Sequence, residues 1–205
     1  MTAVRSPGRI PPPRVKLCPT LGKRMRRWSY GSPQRSVLRG AWQIQIRTAS
    51  GLDAKAASAL VSASFNELAA ADWEPHARDA FLAEAEPKAL AGKIERCAYC
   101  AAALADETML GFLLMPTPAL LGMLFVHPDW LRRGVGRELW ETARQYVEGN
   151  QKSVRTVELN ATPYAVPFYL SLGFMPISKE FKQAGCRATR MACWLPARAL
   201  EAGLG

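Results

Sequence analysis

Residues 124–137 read Leu-Phe-Val-His-Pro-Asp-Trp-Leu-Arg-Arg-Gly-Val-Gly-Arg, an apolar run that gives way to a basic turn holding two glycines. A strand that passes through such a turn into a helix aims the helix N-terminus at the space beyond the strand. The first N–H groups of a helix have no partner inside it, and the helix dipole is positive there, so a phosphate or pyrophosphate is favoured. Gly134 and Gly136 let an anion approach the main chain closely, and Arg132, Arg133 and Arg137 add charge-assisted contacts. Two common nucleotide signatures do not fit. No Gly-Lys-Ser/Thr follows the turn, and the third glycine of a dinucleotide fingerprint would fall where Leu139 stands.

The flanking pattern supplies the elements that such chemistry needs. Residues 120–126 are apolar on both faces, as a central strand is. Residues 135–147 form a helix by pattern, with Leu139, Trp140, Ala143, Tyr146 and Val147 on one stripe and Glu138, Glu141, Arg144 and Glu148 turned away. Upstream, residues 43–47 alternate polar and apolar as a half-buried strand does. Asp53 stands as the N-cap of a helix carrying Ala57, Leu60, Val61 and Phe65. A second helical stretch, broken by Pro75 and Pro87, covers about residues 77–93. Residues 97–104 and 109–115 then form a hairpin through a four-residue turn. Downstream come a strand at 155–159, a short helix at 165–172 and a terminal strand pair at 174–181 and 186–195. The order β, α, α, β, β, β, α, β, α, β, β places the chain in the mixed α/β class, without internal repeats.

A length of 205 residues suits one domain, and a hydrophobic fraction of 49% argues against wholesale disorder. The net charge of +10 is confined to the first 42 residues, which hold ten basic side chains and no acid; the remainder is balanced at 17 against 17. The basic character therefore describes an arm and does not make the domain a nucleic-acid binder. Residues 1–42, rich in Pro and Arg, read as a disordered extension, residues 43–197 as the domain and 198–205 as a tail. The extension is a targeting peptide, a basic arm for anionic partners, or sequence ahead of a later start such as Met25. Five scattered cysteines and no secretory signal point to a reducing cytoplasm. Cys97 and Cys100 have CxxC spacing, but with no second pair and two histidines in the chain they read as structural, and no metal is expected. No run is long and apolar enough to suggest a membrane span.

The strand ending in Phe125, Val126, His127 and Pro128, followed by Arg133, Gly134, Val135, Gly136 and Arg137, resembles the acyl-CoA pyrophosphate loop of the GNAT superfamily of N-acetyltransferases. The segment from Asn160 through Pro163 and Ala165 to the Phe168-Tyr169 pair and Leu172-Gly173-Phe174 is similar to the family's later strand-then-helix motif. The resemblance spans residues 44–195. One place departs from it: the family usually has Gln or Arg three residues before the first loop glycine, where this chain has Leu131. Leu131 removes a side-chain contact while still supplying a backbone N–H.

The resemblance implies the GNAT acyl-CoA N-acyltransferase fold, a central mixed sheet of six or seven strands flanked by helices. It implies a splay beside Val126 where the arm of coenzyme A inserts towards Asn160. It further implies acetyl-CoA as co-substrate and, as acceptor, a primary amine on a small molecule or a protein, in the cytoplasm. A homodimer is allowed, and metal, membrane and nucleic-acid partners are not expected. By the same matching, the main chain of Leu124, Phe125 and Val126 pairs with the pantetheine arm and offers an N–H to the thioester oxygen. Arg132, Arg133, Gly134, Val135, Gly136 and Arg137 hold the pyrophosphate, Asn160 bonds the arm, and Tyr169 is the acid for the departing thiolate. A phenol of pKa about 10 is protonated at neutral pH and suits that task. For the base, Glu158, Glu74, His76 and a water relay stand as alternatives. A catalytically silent acyl-CoA sensor is the rival reading of the same fold.

Overall fold

The computed structural model describes residues 35–39, 42–151 and 153–196, with side chains from residue 43 onward. The strands are β1 (Arg35–Arg39), β2 (Trp42–Thr48), β3 (Tyr99–Ala105), β4 (Thr108–Met115), β5 (Met123–Val126), β6 (Thr156–Ala161), β7 (Met175–Pro176), β8 (Phe181–Gln183) and β9 (Cys186–Trp194). The helices are α1 (Ala54–Leu68), α2 (Pro75–Glu84), α3 (Pro87–Arg96), α4 (Val135–Asn150) and α5 (Val166–Ser171). Strands β1 to β5 form an antiparallel meander in chain order, and β6, β9 and β7 form a second sheet with β8 added to β9. The mixed α/β class therefore holds, while the expected single sheet of six or seven strands is two antiparallel sheets. Among the described residues their strands meet at one parallel bridge, Leu120 to Glu158.

Several local expectations shift for identifiable reasons. Asp53 holds the N-cap position of α1 as expected, but its side chain makes no capping hydrogen bond there. It closes a 3₁₀ turn, Gly51–Asp53, by accepting the Ser50 N–H at 2.8 Å, and the Arg47 guanidinium grips it at 2.6 and 2.9 Å. Pro75 and Pro87 each open a helix, since proline lacks only a donor that the first turn leaves unused. The β3–β4 turn is tighter than expected, because Ala105 pairs with Thr108 and only Asp106 and Glu107 lie between. Strand β1 lies inside the segment read as extension and pairs with β2; residues 1–34 and 197–205 fall outside the described residues. Strand β5 is half-buried throughout, not sealed on both faces, because its outer edge is unpaired.

The meander carries a layer on each face. Leu139, Trp140, Ala143 and Val147 of α4 enter a core with Ile44, Leu110, Leu113, Val157, Leu159 and Met191. Leu60 and Val61 of α1 and Leu90 and Ile94 of α3 pack on the other face against Ala102, Phe112 and Leu114. Each such side chain contributes about 1.5–3 kcal/mol by burial. Gly111 of β4 sets how closely α4 lies. A Cβ there would stand 2.8 Å from Leu139 and 2.9 Å from Val135, so only glycine lets the first turn of α4 rest on the sheet.

Candidate functional site

The site begins where the two sheets part. Glu158 N–H donates to Ala119 C=O at 2.8 Å and Leu121 N–H donates to Glu158 C=O at 2.9 Å, locking the start of the β5 segment beside β6. Past that contact the described residues show no pairing between β5 and β6, so a notch opens between two unpaired strand edges. His127 N–H donates to Leu110 C=O at 2.8 Å, and this fixes the alternation of the β4–β5 ladder. Met123 and Phe125 direct their main-chain groups to β4, while Leu124 and Val126 direct theirs into the notch. Phe125 therefore leaves the set expected to meet a ligand through its backbone; its ring lies 5.9 Å from Phe81 instead. The Val126 carbonyl accepts the hydroxyl of Ser64, a small polar residue buried in α1, at 2.8 Å.

At the mouth of the notch the chain turns into α4 through two left-handed residues, Arg132 at φ 57° and Gly134 at φ 83°. The first helical bond runs from Glu138 N–H to Gly134 C=O at 3.0 Å, leaving the N–H groups of Gly134, Val135, Gly136 and Arg137 without intrahelical acceptors. These four donors on a positive helix end fit a pyrophosphate. The Leu131 N–H is not among them, because it already donates to Pro128 C=O at 3.2 Å. Gly136 also has a different reason from the one expected. A Cβ there would stand 2.8 Å from the Phe168 ring, so glycine is needed for α5 to pack on α4.

The arginines divide. Arg137 donates to the Ser171 carbonyl at 2.9 Å and holds the end of α5, Arg133 stacks over Trp130 at 5.0 Å, and Arg132 is exposed with no side-chain partner among the described residues. His127 is structural, its Nδ1 accepting the Asp129 N–H at 3.3 Å.

Two groups expected to act on a ligand come from the far side of the notch. Tyr169, on α5, is buried between Phe168 and Phe174, at ring distances of 5.2 and 5.5 Å. Its hydroxyl makes no hydrogen bond among the described residues, and burial drives its pKa above the usual phenol value, which keeps it protonated. On β6, Val157, Leu159 and Ala161 enter the core, so Glu158 and Asn160 share the opposite face; Asn160 is exposed and Glu158 half-buried. Neither side chain has a hydrogen-bond partner among the described residues.

The other two base candidates are occupied. Glu74 pairs with Lys182, whose hydrogen bond holds its pKa below the usual carboxylate range, and His76 lies 3.6 Å from Glu74 under the turn at Gly185. Glu74 N–H donates to Gly185 C=O at 2.8 Å, so the β8–β9 hairpin is fastened onto the start of α2. Beside it lies an aromatic cluster of Phe65, Trp73, Phe81 and Phe125. Sequence reasoning missed Ser64 as an anchor of β5; the available signal was a polar residue at helical spacing from Leu60 in an apolar stripe. Among the described residues no three His, Cys, Asp or Glu side chains are grouped to hold a metal, and no helix is long and apolar enough to cross a membrane.

Comparison with known proteins gives the same picture. The model of the acetyltransferase (GNAT) domain matches residues 64–195. A GCN5-related N-acetyltransferase from Rhodopseudomonas palustris superposes with a TM-score of 0.64 at 22% identity, covering 73% of this chain and 94% of that one. PaiA N-acetyltransferase from Thermoplasma acidophilum, solved in complex with coenzyme A, gives 0.62 at 20% identity over 74% and 99%. Ribosomal-protein-S5-alanine acetyltransferase from Vibrio fischeri gives 0.56 at 13% identity over 80% and 100%. At these identities the structural likeness speaks for the fold. No curated protein matches the sequence.

Proposed function

The chain belongs to the GNAT acetyltransferase family, and from that premise we propose that it moves the acetyl group of acetyl-CoA to a primary amine on a small molecule or a protein. The observation that carries this reading is the notch itself: two strand edges that pair with no other strand among the described residues, closed at one end by the Leu120–Glu158 bridge and opening at the other onto the α4 N–H groups that have no intrahelical acceptor. A thin amide-bearing arm with a pyrophosphate at its end has the shape and polarity such a notch takes.

In this reading the N–H groups of Gly134, Val135, Gly136 and Arg137 hold the pyrophosphate, with Arg132 and Arg133 adding charge. Leu124 and Val126 pair with the pantetheine amides, and Asn160 reaches the arm from the other edge. The amine nitrogen attacks the thioester carbonyl, whose oxygen becomes an oxyanion met by a β5 N–H. Collapse of that intermediate breaks the C–S bond, and Tyr169 gives its proton to the departing thiolate. The attacking ammonium must first lose a proton. Glu158 is the carboxylate assigned to it, because it stands at the closed end of the notch without a partner while Glu74 and His76 are engaged elsewhere. Cytoplasmic placement fits the four free thiols among the described residues.

Calorimetric titration of the chain with acetyl-CoA tests the cofactor site, beside a variant carrying Arg132→Glu and Arg133→Glu. Both residues are exposed, so the reversal should repel the pyrophosphate while removing only the Arg133 stack on Trp130 from the surrounding packing. Binding by the wild type, weakened at least tenfold in the variant, is expected; a folded wild type that does not bind would overturn the proposal.

A further inference from the structure

At the opposite end of α4 from the notch, a cavity of about 340 Å³ lies between the end of β2, the α3–β3 junction and the last turns of α4. That volume falls in the range of small-molecule sites. Both Cys97 and Cys100 line it, with the stacked rings of Tyr99 and Tyr146, 4.5 Å apart, as an apolar wall and Gln145 and Asn150 as polar neighbours. The two thiols lie three residues apart on the wall of this one cavity, and each donates to a carbonyl: Cys97 to Ile94 at 3.1 Å and Cys100 to Ala49 at 3.3 Å. Cys97 follows the last residue of α3 and is free of the β3–β4 ladder, whereas Cys100 lies within β3. We propose that Cys97 and Cys100 form a reactive dithiol, opening on this cavity, that takes small-molecule disulfides.

The two sulfurs have different roles. Cys97, half-buried just past α3, is the more accessible sulfur, and the neighbouring Cys100 draws its thiol below the usual value, whereas Cys100, buried in β3, is held above its own. Cys97 is therefore the attacking thiolate. It bonds to one sulfur of a disulfide RSSR, the S–S bond of that molecule breaks, and the first RS⁻ leaves and takes up the proton that Cys97 released. Cys100 then loses its proton and attacks the Cys97 sulfur. The Cys97–Cys100 bond forms, and the second RS⁻ departs and is protonated. Two protein thiols are oxidised as one RSSR is reduced to two RSH. The structural reading of this CxxC segment thus gives way to a site at roughly 16 Å from the α4 N-terminus, by the eleven helical steps from Val135 to Tyr146.

The folded full-length chain exposed to glutathione disulfide, quenched at intervals, alkylated and mapped by peptide mass, tests the assignment. Cys186, half-buried and held above its usual pKa by burial, is the internal reference thiol. Cys97 and Cys100 are expected to disappear together as alkylatable thiols, about tenfold or more faster than Cys186. In Cys100→Ser the reaction should stop with one glutathione on Cys97. The proposal is overturned if Cys97 in the wild type reacts no faster than Cys186, or if its mixed disulfide persists without closing onto Cys100; both readings need only the wild type and hold even where the variant fails to fold.

Discussion

The hydroxyl of Tyr169 is the group with most to lose from a single atom's removal. It is buried, unpartnered among the described residues and kept protonated by its surroundings. Tyr169→Phe is expected to lower kcat by about 10²–10³ while leaving the affinity for acetyl-CoA within twofold, as steady-state kinetics beside calorimetry would show. Binding with no turnover in the wild type would instead favour a silent sensor. Glu158→Gln should lower kcat far more than KM. An unchanged kcat would move the proton to a water relay. At this scale the sequence marks Asn160 and Tyr169 for their proposed roles through a motif. It was opaque where a role depends on what already occupies a group. Nothing in the order of residues tells that Leu131 has spent its N–H on Pro128, that Arg137 is turned to Ser171, or that Glu74 is tied to Lys182.

At the scale of elements, the position of α4 rests on the missing side chain of Gly111. Gly111→Ala should push Val135 and Leu139 off the sheet, cost about 1–3 kcal/mol in a denaturation experiment and weaken acetyl-CoA binding, because the donors at the start of α4 move with it. Ser64→Ala leaves the Val126 carbonyl without its α1 partner and should cost about 1–3 kcal/mol. Periodicity located α1, α4, α5 and strands β2 to β5, since amphipathic patterns are read from local sequence, but it ran α2 and α3 into one stretch and left β1 inside the extension. It misjudged β5, because a strand with one unpaired edge is as apolar in sequence as one flanked by another strand. It also left the junction between the sheets unseen, for a bridge between Leu120 and Glu158 joins residues far apart in the chain.

For the whole molecule, the boundary of the domain falls earlier than composition suggested. A chain beginning at residue 35 should keep full turnover, whereas one beginning at 43 loses β1 and bares the edge of β2, so it should melt lower and aggregate more readily. The Arg47–Asp53 pair fixes the join between β2 and α1. Asp53 titrates below the usual carboxylate range, first because of the Arg47 hydrogen bonds, so its contribution to stability is complete above a pH of about 4 and is lost as pH falls through its lower folded value. The stability gap between wild type and Asp53→Asn, followed by thermal unfolding, should therefore be constant near neutrality and close on acidification. The single bridge at Leu120 and Glu158 carries a last consequence. With one bridge between the two strand edges among the described residues, a bound pantetheine arm would act as a surrogate strand that zips those edges together. Amide hydrogens of Leu124 and Val126 should then exchange with solvent quickly in the free protein and slowly once acetyl-CoA is added, and the melting temperature should climb with the logarithm of its concentration.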